Sequence, residues 1–291
     1  MDTLTSVVVA NEHIYGVAAV TTTLVEKARC LHGASPTAAA ALGRLLTGGV
    51  LMGSLLKDAA HRVTLQVSSK GPVRSILVEA DGAGQVRGYL GQPAVDVPSR
   101  NGKLDVSAAV GKGILHVIRE TGAAEPYSGA VPLVSGEIAE DLASYFVQSE
   151  QIPSAVSLGV FVTPDHSVAA AGGFLVQFHA DIDDDLVVHI EQALGAVPSV
   201  TSLVQEGCGP RDILHRALGG LDLEVVRHVS PFWHCACSRD RVVGALLALG
   251  PQQLRELMNE QPETQVRCEF CTTEYGFTQQ ELSQVLADAL E

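Results

Sequence analysis

Two close cysteine pairs near the C-terminal end, Cys235 with Cys237 in "HCAC" and Cys268 with Cys271 in "RCEFC", constrain this chain more than any other feature. A C-x-C and a C-x-x-C with 30 residues between them form a metal clamp, a redox couple or a chance cluster. The spacing matches a four-thiolate zinc site, in which each pair supplies two corners of a tetrahedron. His234, beside Cys235, and His228 are the alternative ligands for a three-cysteine site. Chance clustering of buried thiols is the remaining reading, and two tight pairs inside the 60 residues from Phe232 to Glu291 argue against it. A module that small rarely folds firmly on its core alone and calls for a staple. Cys30 reads as a small buried hydrophobe in an amphipathic helix. Cys208, in "EGCGP", sits at a flexible break without a sequence partner.

The compartment decides what six cysteines mean. "MDTLTSVVVANEH" has no basic stretch and too short an apolar run for a signal peptide, so the chain is read as cytoplasmic. The apolar stretch from Thr37 to Leu56 carries Arg44 and four glycines, which makes it a buried core helix and not a membrane span. In a reducing compartment the cysteines then point to metal or redox chemistry before structural disulfides. Charge narrows the partners: residues 181–291 hold 18 Asp and Glu against 7 Arg and no Lys, within a net charge of −14. Such acidity disfavours nucleic acid and anionic membranes, whose affinity comes from Lys and Arg.

Upstream of the cysteines the pattern is α+β. "SVVVA" and "IYGVAAV" read as strands of a hairpin around Asn11, followed by helices at Leu24–His32 and Pro36–Lys57. "VTLQVSS", "VRSILVEA" and "QVRGYLG" read as antiparallel strands joined by turn-type links. "GILHVIRE", "SGAVPLVSG", a helix over Ile138–Ser149 and two strands around Pro164 and Asp165 complete this part. Near Ala180 the texture changes. Ile182, Leu186, Ile190 and Leu194 recur at helical spacing, and short apolar clusters broken by prolines and glycines run on to about Val229. Helices that short persist only when they lie on something. The expected organisation is a mixed sheet-and-helix domain over residues 1–180, a metastable helical linker over 181–231, and a zinc-binding module over 232–291. In that module Thr278 and Glu281 form a capping box for a helix carrying Leu282, Val285, Leu286 and Leu290.

No enzyme is expected. Four thiolates leave a metal no open position, the glycine-rich "AAGGFL" and "DGAGQVRG" do not open helices as phosphate loops do, and the ten histidines form no paired motif. A thiol peroxidase or disulfide reductase would need a redox couple at a helix N-terminus, and the second pair matches a zinc clamp better. The rival from another class is a zinc-ribbon protein with a permanent structural zinc and a partner- or nucleic-acid-binding role.

"HCACSRDRV", "RCEFCTTEYGF", "TAAAALGRLLTGG", "LVSGEIAEDLASYFVQSEQIPSAVSLGVFV" and "AAGGFLVQ" together resemble the 33 kDa chaperonin family, the redox-regulated holdases known as heat-shock protein 33, over essentially the whole chain. The resemblance implies an ATP-independent chaperone that is inactive when reduced and loaded with one zinc per chain. Under oxidative stress it would bind unfolding or oxidatively damaged client proteins as a homodimer. It makes Cys235, Cys237, Cys268 and Cys271 the zinc ligands, and pairs Cys235 with Cys237 and Cys268 with Cys271 in the oxidised form. Loops that small bring only about 2 kcal/mol each by chain entropy, against an apparent zinc stabilisation on the order of 10 to 16 kcal/mol. Oxidation should therefore unfold the module and release the linker. Arg239, Arg241 and Arg267 would favour the reactive thiolates, unless they pair with Asp240, Glu269 and the acidic surface.

Overall fold

A computed structural model describes residues 1–9, 13–123, 125–179, 182–260 and 263–288. The turn read at Asn11, the change of texture at Ala180, and Leu290 lie outside the described residues. The described chain is α+β and divides into two compact units, Met1–His234 and Cys235–Glu291.

The first unit opens with strands β1 (Thr3–Val9) and β2 (Ile14–Val20) and helices α1 (Thr22–His32) and α2 (Pro36–Ser54). Strands β3 (Arg62–Ser69), β4 (Ser75–Asp81) and β5 (Gln85–Leu90) follow, then a short helix α3 (Val106–Val110), which the sequence reading missed. Next come β6 (Gly113–Glu120), β7 (Tyr127–Pro132), α4 (Ala139–Tyr145), β8 (Ser154–Val162) and β9 (Val168–Phe178). The single helix read over Ile138–Ser149 is α4 continued by one π-turn, Phe146–Glu150.

Helix α2 is the axle of this unit. Ser35 caps it by accepting from the Ala38 amide, Pro36 occupies its first turn, and nearly every residue to Ser54 is buried. It packs on β8 and β9 on one side and on β3, β4 and β5 on the other. A sheet ordered β10-β1-β2-β9-β8 and a sheet ordered β11-β5-β4-β3-β6-β7 thus share one core, where β10 is Glu224–Val229 and β11 is Phe232–Trp233. Gly43 permits the close approach: a Cβ there would lie 2.4 Å from Val25 Cγ1 and 2.9 Å from Val160 Cγ2.

Strand residues alternate between faces, and the first sheet uses both. Val17, Ala19 and Leu175 point into the α2 core. Val7, Val9, Ile14, Ala18, Phe174 and Val176 form a second apolar layer with Ile190, Val200, Leu203, Ile213, Leu214 and Leu218. Those covering residues come from α5 (Asp184–Ala196), α6 (Val200–Gln205) and α7 (Pro210–Ala217), with Leu218 just beyond. The helical texture read to Val229 ends with α7. Glu224–Val229 is instead a strand, antiparallel to β1 with Leu4 opposite Val229 and Val8 opposite Glu224. Residues 184–229 are built into the first unit in this folded state, so the division at 180 and 231 is a proposal about which part comes loose.

The second unit holds α8 (Arg239–Leu249), α9 (Pro251–Glu260), the hairpin β12 (Glu263–Arg267) and β13 (Glu274–Thr278), and α10 (Gln279–Asp288). Its core is small: Leu246, Leu254, Phe277, Leu282 and Val285, with half-buried neighbours such as Val242, Leu257 and Tyr275. Thr278 and Glu281 exchange side-chain and backbone hydrogen bonds in a reciprocal capping box (Thr278 N–H to Glu281 Oε2, 2.8 Å; Glu281 N–H to Thr278 Oγ1, 3.3 Å). No helix among the described residues is long and apolar enough to cross a membrane.

Candidate metal centre

Local geometry brings the two cysteine pairs of the second unit together. Cys268 and Cys271 sit in the β12–β13 turn, where the Cys268 amide donates to the Thr273 carbonyl (2.9 Å) and the Thr272 amide donates to the Cys268 carbonyl (2.8 Å). Thr272, within this turn, adopts a left-handed conformation at φ 61°. Cys235 and Cys237 lie in the extended run that ends where Ser238 caps α8, accepting from the Arg241 amide at 3.3 Å.

All four Sγ atoms lie within 4.8 Å of one another, each half-buried. Cys235 Sγ is 3.8 Å from Cys268 Sγ, and Cys237 Sγ is 3.2 Å from Cys271 Sγ. A tetrahedron with metal–sulfur bonds of about 2.3 Å has sulfur–sulfur edges of about 3.8 Å, so the donor set fits a soft divalent ion such as zinc. No disulfide joins any of the six cysteines. Among the described residues the clustered ligand atoms are those of the four cysteines; in the first unit His228 Nδ1 lies 3.3 Å from Thr5 Oγ1, and the His234 main-chain amide donates to the Val86 carbonyl.

Two groups that spacing does not reveal touch the sulfurs. The Tyr275 hydroxyl donates to Cys237 Sγ (3.1 Å), and Thr273 Oγ1 is 3.3 Å from Cys271 Sγ. Burial pushes the Cys237 thiol up and lifts Cys268 to about 12. Burial also opposes ionisation of Cys271, but hydrogen bonds from the Thr273 side chain and backbone, with Cys237 and Cys268, outweigh it and bring that thiol down to about 6. Tyr275 is itself raised to about 12, chiefly by its bond to Cys237. Arg239 is committed elsewhere: it pairs with Glu281 at 2.6 Å and lies 4.3 Å from the centre of the Phe277 ring.

The lone cysteines differ from each other. Cys30 is exposed, against the expectation of a buried hydrophobe, because it lies on the outer face of α1 beside Glu26, to which its thiol donates at 3.3 Å. Cys208 is half-buried against the apolar layer under α6 and α7.

Comparison with known proteins covers the whole of this arrangement. A family model described as Hsp33 protein matches residues 2–278. The 33 kDa chaperonin of Geobacter sulfurreducens is 46% identical over 290 residues, 99% of this chain and 96% of the relative. That of Clostridium perfringens is 44% identical over 271 residues, covering 92% and 85%. The crystal structure of the 33 kDa chaperonin (heat shock protein 33 homolog) of Thermotoga maritima superposes with a TM-score of 0.92 at 36% identity, over 99% of this chain and 98% of the other.

Proposed function

The chain belongs to the Hsp33 family, and from that premise we propose that it is a redox-regulated, ATP-independent holdase chaperone of the cytoplasm, with a cysteine-ligated zinc as its sensor. The observation that carries the reading is the cluster of four sulfurs within 4.8 Å in a unit with so small a core. Cys235, Cys237, Cys268 and Cys271 would hold the ion. When bound, zinc would keep all four as thiolates and tie the β12–β13 turn to the segment before α8.

Oxidation acts on these sulfurs. Two thiolates, one hydrogen peroxide and two protons from solvent would give one disulfide and two waters, each pair losing two electrons and its charge with them, first Cys268 with Cys271 and then Cys235 with Cys237. Neither small ring replaces the staple. Residues 181–231 are the linker that then comes loose. The apolar layer of Val7, Ile14, Phe174 and Val176, covered by short α6 and α7, is surface of the kind that unfolding clients seek. The active form is a homodimer that holds unfolding proteins and neither turns over a substrate nor reads nucleic acid.

Light scattering of a denaturant-unfolded client tests the reading. Reduced, zinc-loaded protein is compared with the same protein after peroxide and mild heat, with zinc release followed in parallel. Release of about one zinc per chain together with suppressed scattering is expected. Retained zinc or unaffected scattering would make the cysteines a permanent structural clamp.

A further inference from the structure

The outer edge of β5 is closed by a piece of the chain itself. β11 is the parallel pairing in an otherwise antiparallel sheet, with Phe232 opposite Gln85 and Trp233 opposite Val86. The Phe232 amide donates to the Gly84 carbonyl (3.0 Å) and the His234 amide to the Val86 carbonyl (3.1 Å). Two residues further on, His32 Nε2–H donates to the Gly88 carbonyl (3.0 Å). Gly84, Val86 and Gly88 therefore present three acceptors at two-residue spacing, two taken by the amides of Phe232 and His234 and one by a side chain. The half-buried Trp233 anchors the segment against the core, its ring centre 6.1 Å from that of His32, while Phe232 is 48% exposed. An unfilled strand edge of this kind is a template for any extended chain, and main-chain bonds supply most of the affinity when a peptide adds to one.

We infer that the β5 edge is a strand-addition site for an extended, aromatic-bearing segment of an unfolding client, held shut in the reduced protein by residues 232–234. The nature of the occupant rests on the chaperone reading above. What fits is defined by what sits there: a strand running parallel to β5, amide donors at alternate residues, and a large ring between them. The shutter ends one residue before Cys235, so a change of state at the thiols reaches it directly along the backbone. β11 is also too short to persist as a strand on its own. Loss of order at Cys235 frees all three carbonyl acceptors once His32 swings away.

The probe is a fluorescein-labelled, acetylated hexapeptide VSPFWH, copied from residues 229–234, read by anisotropy on the full-length protein. Its control is the same peptide N-methylated at the amides that correspond to Phe232 and His234. Oxidised protein is expected to bind the first peptide, and the control at least roughly ten-fold more weakly because both donors are gone; reduced protein binds neither. Phe232→Pro removes one shutter amide at a half-exposed position, and Trp233→Ala removes the anchor, so either variant is expected to bind the unmethylated peptide while still reduced. If oxidised protein suppresses client scattering yet ignores the peptide, or takes both peptides equally, the edge site is wrong and the chaperone reading stands. Reduced Phe232→Pro preferring the unmethylated peptide while oxidised protein leaves scattering unchanged would establish the edge site and overturn the redox reading.

Discussion

Asp141 shows how much a single buried side chain organises near the sheet ends. It is 1% exposed, and its Oδ1 accepts from the amides of Val134 (2.7 Å), Ser135 (3.0 Å) and Gly136 (3.3 Å), while Oδ2 accepts from Ile138 (2.9 Å). The turn is strained as well, with the β-branched Ile138 at φ 71°, and Glu137 is held by Arg44 from α2. Asp141→Ala leaves four amides without their acceptor and is expected to cost about 3 kcal/mol or more, read as a lowered urea midpoint. Glu26 makes a different contribution. Arg29 donates to both its oxygens and the Val168 amide to one, and against the opposing effect of burial these bonds bring its carboxyl down from 4.5 to about 2, the Arg29 bond being the largest cause. A folded-state value below the unfolded one stabilises fully above about pH 4.5 and is lost as pH falls toward about 2. The difference in urea midpoint between the wild type and Glu26→Gln should therefore be constant near neutrality and shrink over that acid window; a difference that persists unchanged at pH 2.5 would remove Glu26 from the acid response.

At the scale of elements, the informative parts are those that depend on a distant partner. The strands of the first unit were legible because alternation and turn residues are local signals, and α2 because its apolar run begins at a capped proline. β10 was not: "EVVRHV" is more than half exposed and becomes a strand only by pairing with β1, more than 200 residues away. β11 is legible only as an edge seated on β5. The four cysteines could be read from spacing, whereas Tyr275 and Thr273 reach the sulfurs through the register of the β12–β13 hairpin, with Val266 opposite Tyr275. The connector was read as short amphipathic pieces, and the structure supplies what they lie on. α6 and α7 have six and eight residues, too few to persist alone. Their hold on the sheet rests on a handful of side chains, each worth about 1.5 to 3 kcal/mol when fully buried. Leu214→Asp places a carboxylate in that layer, against Gly16 of β2. The variant is expected to let residues 181–231 be cleaved by trypsin in the reduced protein and to suppress client scattering without peroxide. Cleavage without suppression would separate release of the connector from client binding.

For the whole molecule, the two units differ in what makes them fold. The first shares a core among two sheets and α2 in which dozens of side chains are buried; among its described residues the second has five buried hydrophobic side chains in its core. A core of that size rarely leaves more than about 3 to 5 kcal/mol of net stability once conformational entropy is set against it. On the zinc reading proposed above, four thiolates on the ion would contribute apparent stability on the order of 10 to 16 kcal/mol, so the second unit should stand or fall with that metal, while the fold of residues 1–180 should not depend on it. Adding a strong chelator to reduced protein, with no oxidant present, isolates that step from disulfide formation. The helical signal of α8, α9 and α10 is expected to disappear, and protease to cut throughout residues 235–291, while the fragment spanning residues 1–180 survives. The connector discriminates between mechanisms. If residues 181–231 become cleavable on chelation alone, loss of the metal is sufficient to undock α6 and α7, and the disulfides serve to keep the metal out. Should the connector stay protected until peroxide or mild heat is added, the apolar layer under α6 and α7 holds independently of the second unit, and a second input is required before that surface is presented.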